Sequence, residues 1–298
     1  MSAEGTVYDL GYTPHEGPRL GRAGAFRAMV VDGTRRALGL RRKPWTKVLP
    51  WALIGSAIVP AAWLVSLTFL FDGFGVEEMG PFASPSEFFE VIGTLSMLFV
   101  ALVTPVLLIP DRRHGVLSIY ASRPVRAGDY LLARAATVAI LTSLYILIPQ
   151  ATMFVGVSAL NVNGIWAGLT ENANQIPEIL GTTVALVVGY GAPAFLVSLY
   201  GRRVAMASGA YVAAMFMTGA LTDAIPRASQ LLIFKVLSPL SLFFNPFSAR
   251  DWMFGEEVAD PGLPLARVDL PPWTGALAIL LVAGITAVLA VRQYRKEI

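Results

Sequence analysis

The chain has 298 residues, of which 55% are apolar and only 14% charged, against roughly 25% charged in an average soluble domain. Its net charge is +3 and its mean hydropathy +0.61, which excludes a soluble globule and a disordered chain. The absence of cysteine excludes a disulfide scaffold, thiol catalysis, Cys-ligated zinc and iron–sulfur clusters.

The apolar residues are concentrated in charge-free runs. A bilayer core about 30 Å thick needs about 20 apolar residues in a helix, and six runs reach or nearly reach that length. They predict an all-α polytopic membrane protein with six spans: about 48–71, 91–110, 135–158, 179–200, 204–222 and 273–291. Before the first span, residues 1–47 hold no 7–15-residue apolar stretch behind a basic start, so no cleaved signal peptide is expected. In that tail Phe26, Val30, Gly33, Ala37 and Leu40 recur at three- or four-residue steps. They predict an amphipathic helix ending at Pro44 and lying along the inner membrane surface. A basic retention tail with no specific contact is the plainer alternative.

After span two comes a basic loop. Arg123-Pro124 breaks any helix there, and Gly128-Asp129 caps the helix that becomes span three, with Asp129 at its positive end. A short helix across the ends of the two spans is the expected shape, suited to docking on a soluble partner; the alternative is an ordinary basic loop. Within span four, Gly181, Ala185 and Gly189 form a small-residue ladder that lets helices approach closely. Between spans five and six, the apolar segment 228–247 carries Lys235, and an ammonium at mid-membrane costs about 3 kcal/mol. We read it as a pair of short re-entrant or interfacial helices bending near Ser238-Pro239, followed by an exposed loop at 256–272. Phe234, Leu237, Phe243, Phe244 and Phe247 then form either an apolar outer gate or packing against the last span.

Lys and Arg sort by side when the loops alternate. Of 23, 19 fall in the N-terminal tail, the loop after span two, the turn after span four and the C-terminal tail, while Arg227, Lys235, Arg250 and Arg267 fall on the other side. That bias places both termini in the cytoplasm, and it accounts for the basic pI without nucleic acid. The protein is therefore expected in the cell membrane.

Chemical motifs are sparse. None of Lys43, Lys47, Lys235 and Lys296 follows a glycine, so no P-loop exists. Gly189-Tyr190-Gly191-Ala192-Pro193-Ala194 fits G-x-G-x-x-A but lies inside an apolar run with no strand before it. The two histidines, His15 and His114, are far apart. No catalytic residue, metal site or directly bound cofactor is expected. Glu90, just outside the second run, reads as a carboxylate at the outer interface.

The loop after span two carries Asp111, Gly115-Val116-Leu117, Ser122-Arg123-Pro124-Val125 and Asp129-Tyr130-Leu131-Leu132-Ala133-Arg134. In these, and in Ser238-Pro239-Leu240-Ser241 with Phe244-Asn245-Pro246-Phe247, the chain resembles the membrane subunits of type-2 ABC exporters, the ABC-2 permease family. It departs in having Asp111 for the family's Glu and Val116 for its Thr. The resemblance implies a dimer with a second permease subunit, identical or homologous. It also implies two copies of a soluble ABC ATPase that supply ATP and Mg, and a loop helix that couples to them. The coupling set is then Asp111, Arg112, Arg113, Gly115, Leu117, Tyr120, Arg123 and Pro124, with Arg113, Leu117 and Tyr120 on one stripe at i, i+4 and i+7. The substrate would be hydrophobic or amphiphilic. A secondary carrier and a membrane-embedded lipid-modifying enzyme are the other readings; a carrier would normally show internal symmetry and buried charge.

The topology has a direct check. In the otherwise cysteine-free chain, Gly262→Cys is expected to react with an impermeant maleimide added outside, and Ala127→Cys only after permeabilisation. Labelling of both from one side would overturn six spans with cytoplasmic termini.

Overall fold

A computed structural model describes residues 21–40, 45–73, 85–115, 127–228, 236–255 and 262–297. Among the described residues the ordered structure is helical, without a strand. In chain order, α1 is Gly21–Ala37, α2 Trp45–Gly73, α3 Pro85–Arg113, α4 Ala127–Ala159, α5 Ile165–Glu171, α6 Gln175–Tyr200, α7 Val204–Ala228, α8 Asn245–Met253 and α9 Trp273–Glu297. Six of these, α2, α3, α4, α6, α7 and α9, are long and apolar enough to cross a bilayer. They coincide with the six charge-free runs, but several extend further. α3 passes through Pro110 and ends at Arg113, not at Pro110, and α4 begins at Ala127, so it contains Asp129 and Arg134.

The reason lies in what the helix ends do. Proline lacks an N–H and costs one helical bond, but membrane helices tolerate it within their length. The i to i−4 pattern resumes beyond the proline, where the His114 amide donates to the Pro110 carbonyl at 3.0 Å. Gly115, at φ +65°, then takes the left-handed conformation that ends helices. Past the apolar runs of α3 and α4, the helical Asp111, Asp129 and Arg134 each have an ion-pair partner.

α3 is the centre of the bundle and packs on α4, α6 and α7. In its most apolar stretch 72% of residues are buried, against 17% for α2 and 22% for α7, which lie at the periphery. The outward faces stay apolar: Trp63, Phe69, Leu132, Val184, Leu280 and Ile285 are all exposed. The interior instead holds Thr104, Thr137, Thr142, Gln150, Tyr190 and Tyr211. An apolar surface around a partly polar interior suits lipid as solvent, where burial of apolar area no longer drives packing.

α1 packs along α4 and the end of α3. Its inward face is Met29, Gly33 and Ala37, while Leu40 is exposed, so the face is turned slightly from the one read in the sequence. The helix stops at Ala37, seven residues short of Pro44. Gly33 is required: a Cβ there would lie 2.9 Å from both Arg134 Nη1 and Thr137 Oγ1.

Of the expected helix pair at 228–247, residues 229–235 lie outside the described residues. What is described is a 3-10 turn, Ser238–Leu240, and then α8, which runs past 247 to Met253 with Pro246 in its first turn. Pro246 starts this helix instead of breaking the segment, as its fixed φ and missing donor allow. α8 is enclosed by α3, α6 and α9, and every residue from Asn245 to Asp251 is buried. The described part of the loop expected to be exposed also folds back. Leu263, Leu265 and Val268 are buried, and Arg267 pairs with Asp223 at the end of α7.

α8 fits because small residues face it. A Cβ on Gly275 of α9 would sit 2.8 Å from the Asn245 carbonyl oxygen and 2.9 Å from Ser248 Cβ, and backbone cannot yield as a side chain can. Gly275→Ala is expected to lower stability by about 1–3 kcal/mol in reversible detergent unfolding. Gly209→Ala, where nothing lies within 4 Å, should be neutral or slightly stabilising.

Candidate functional site

Two buried charged clusters occupy opposite ends of α3. The first is built on Asp111, which is 2% exposed. Its Oδ2 accepts from Arg134 Nη2 at 2.6 Å and from the Tyr130 hydroxyl at 3.0 Å, and its Oδ1 accepts from Arg36 Nη1. Arg36 lies on α1, while Tyr130 and Arg134 lie one helical turn apart on α4. One carboxylate therefore joins three helices. Arg134 is wholly buried; its guanidinium also stands 5.2 Å from the centre of the Tyr130 ring, which in turn lies 5.4 Å from the ring of Tyr294 on α9. Next to this cluster Arg22 Nε donates to Asp129 Oδ2 at 2.8 Å, a second tie between α1 and the start of α4. Burial works against the charge on Arg36, but Asp111 more than offsets it and raises the guanidinium pKa. At Arg22 the hydrogen bond it donates to Asp129 raises the guanidinium pKa likewise.

Asp111 lies in the last turn of α3 and Asp129–Arg134 in the first turns of α4, so the cluster ties together the helices on both flanks of the segment 116–126. Of the expected coupling residues, Leu117, Tyr120, Arg123 and Pro124 lie outside the described residues. The others have distinct surroundings. Asp111 is the centre of the cluster, Arg112 donates to the Gly201 carbonyl in the turn between α6 and α7, Arg113 is exposed, and Gly115 is the helix-ending residue.

The second cluster lies where α8 meets α3. Arg250 Nη2 donates to Asp251 Oδ1 at 2.6 Å and Arg250 Nη1 to Glu90 Oε1 at 3.1 Å, with Asp251 fully buried. Glu90 and Asp111 are separated on α3 by about 31 Å at 1.5 Å per residue, close to the thickness of a bilayer core.

Beside this second cluster stand the aromatic residues of the segment before α9. Phe243 lies 4.9 Å, centre to centre, from Phe244 and 5.8 Å from Phe247. Phe216 of α7 approaches Phe243 at 5.6 Å, and the Tyr190 hydroxyl donates to the Phe243 carbonyl at 3.2 Å. Phe247 packs on Gly93, Leu237 is half-buried, and Phe234 falls outside the described residues. The ladder of Gly181, Ala185 and Gly189 lies along the face of α6 toward α8 and α9. Gly181 meets Met253, Gly189 meets Pro246 and Ile279, and Ala185 clusters with Ala249 and Ile279. The G-x-G-x-x-A stretch is the middle of α6, with none of the strand–turn–helix geometry a dinucleotide needs. Among the described residues no group of His, Asp or Glu side chains converges where a metal could be held.

Sequence reasoning missed Arg36, Tyr130, Arg134, Arg250 and Asp251 as partners, because it counted the arginines as solvated loop charges. An acid closing one span and an arginine opening the next were the available signal. No family model matches the chain, and no curated protein matches its sequence.

Removing one partner of a buried pair leaves an uncompensated charge. Asp111→Asn strands the wholly buried Arg134 guanidinium and leaves Arg36 only its pair with Asp32 at 2.9 Å, and is expected to cost about 3–5 kcal/mol in detergent unfolding. Arg134→Met leaves Asp111 paired with Arg36 and should cost less. A cycle with the double variant is expected to show non-additivity, because the residues share one network.

Proposed function

We propose that the chain is the membrane subunit of an ATP-driven exporter of the type-2 ABC kind, moving a hydrophobic or amphiphilic substrate with energy from a separate ATPase subunit. The observation that carries the reading is the Asp111 cluster. It fastens α1, α3 and α4 together at the two flanks of the segment 116–126, where the resemblance sets the coupling helix. A push on that segment would reach three helices as one body, and α3 would pass it through the centre of the bundle. The chain has no P-loop of its own, so the push must come from a partner. An effector shifts such an equilibrium only through contacts that differ between the two states, and Arg113, Leu117 and Tyr120 are the residues we assign to those contacts. A paired permease completes the pathway, and the Phe243–Phe244–Phe247 cluster forms its outer gate.

Reconstitution with a soluble ABC ATPase subunit that co-purifies with this chain tests the reading. The pair is expected to hydrolyse ATP in proteoliposomes faster than the ATPase alone, and Leu117→Asp to cut that stimulation about tenfold or more without loss of membrane insertion. No complex with the ATPase, or full stimulation by Leu117→Asp, would overturn it.

A further inference from the structure

The turn between α6 and α7 is three residues long, Gly201-Arg202-Arg203, and it lies against the end of α3. Together with Ile109, Arg112 and Arg113 it encloses a cleft of about 370 Å³. Four guanidiniums surround this one space. Arg112 is spent on the Gly201 carbonyl, a bond that pins the turn to α3. Glycine at 201 makes the close approach possible, since a Cβ there would lie 2.9 Å from Ala207 Cβ and 3.1 Å from Ile109 Cδ1. Arg113, Arg202 and Arg203 are exposed, and none pairs with an acid among the described residues.

Like charges held on a fixed turn repel, and an anion shared between them removes the repulsion. The guanidinium fork matches tetrahedral oxyanions in particular. Depth selects the kind of anion. The turn joins two membrane-spanning helices directly, with no residues to lift it away from their ends, so the cleft sits at headgroup level. Tyr200 and Met206 beside it are 56% and 65% exposed, leaving apolar surface below the arginines. Basic pockets between spanning helices at this level suit anionic headgroups.

We infer that the cleft of Arg112, Arg113, Arg202 and Arg203 binds a phosphate group, with the headgroup of an anionic phospholipid as its source and the acyl chains lying over Tyr200 and Met206. This rests on the cleft alone and does not require the transport reading.

The probes are phosphatidylglycerol, phosphatidylcholine and inorganic phosphate, added to the purified, delipidated full chain and followed by native mass spectrometry. Phosphatidylglycerol is expected to be retained in preference to phosphatidylcholine, and Arg202→Gln/Arg203→Gln to lower that retention about tenfold or more. Thermal stability in neutral detergent should be unchanged. Arg202→Lys/Arg203→Lys, which keeps the charge and loses the fork, should fall between the two. Competition by millimolar inorganic phosphate would uphold the phosphate chemistry and assign it to the free anion. Equal retention of both lipids by the unmodified chain, with no phosphate binding, overturns the inference. So does unchanged phosphatidylglycerol retention in Arg202→Gln/Arg203→Gln.

Discussion

One buried carboxylate sets the geometry of an entire end of this protein. Asp111 sits at the close of the central helix, with guanidiniums from α1 and α4 and a phenol from α4 on its two oxygens. Burying such a group is unfavourable by itself, and a buried ion pair adds little net stability over an apolar substitute. What it adds is a penalty for every other arrangement: if α1 or α4 shifts, a charge is left unpaired at low dielectric. The two helices are thereby held in one register against α3. Gly33 completes the fit by allowing α1 to lie directly over Arg134 and Thr137.

The opposite end uses the same device with a different element. There α8 is fixed through Arg250, Asp251 and Glu90 and through glycines on α3, α6 and α9 that receive its side chains. α3 carries one charged cluster at each end, about a bilayer core apart, with apolar packing between them. In a solvent where apolar burial gives no preference among helix pairings, polar fastenings at the two interfaces and small residues between them are what remains to specify the bundle.

Much of this architecture was legible because lipid imposes a simple rule on sequence. The six spans show as charge-free runs, and Gly181, Ala185 and Gly189 show as a ladder. The helix ends were legible only in part: Gly128-Asp129 marked the start of α4, which begins at Ala127, but the end of α3 and the pairing of its charges were not. A rule that reads charge as the edge of a span ends α3 at Pro110 and starts the next span at 135, whereas Asp111 and Arg134 are helical and neutralise each other. Pairing is a property of two positions 23 residues apart, and no local window contains both. α8 was hidden similarly. Its Arg250 and Asp251 look like loop charges, and its apolar residues were divided by Pro246, which begins the helix. The faces of α1 were nearly legible, since Gly33 and Ala37 point inward as their spacing suggests, but Leu40 does not because the helix stops at Ala37.

The account stands on α1, α3 and α4 behaving as one body. The most direct measurement is a pulsed electron–electron distance between spin labels at Ala28→Cys on α1 and Leu132→Cys on α4, both exposed positions, in the otherwise cysteine-free chain in a lipid bilayer. A single narrow distance distribution is the result the Asp111 clamp predicts. A broad or two-peaked distribution, with α1 leaving α4 while Asp111 is intact, would contradict it.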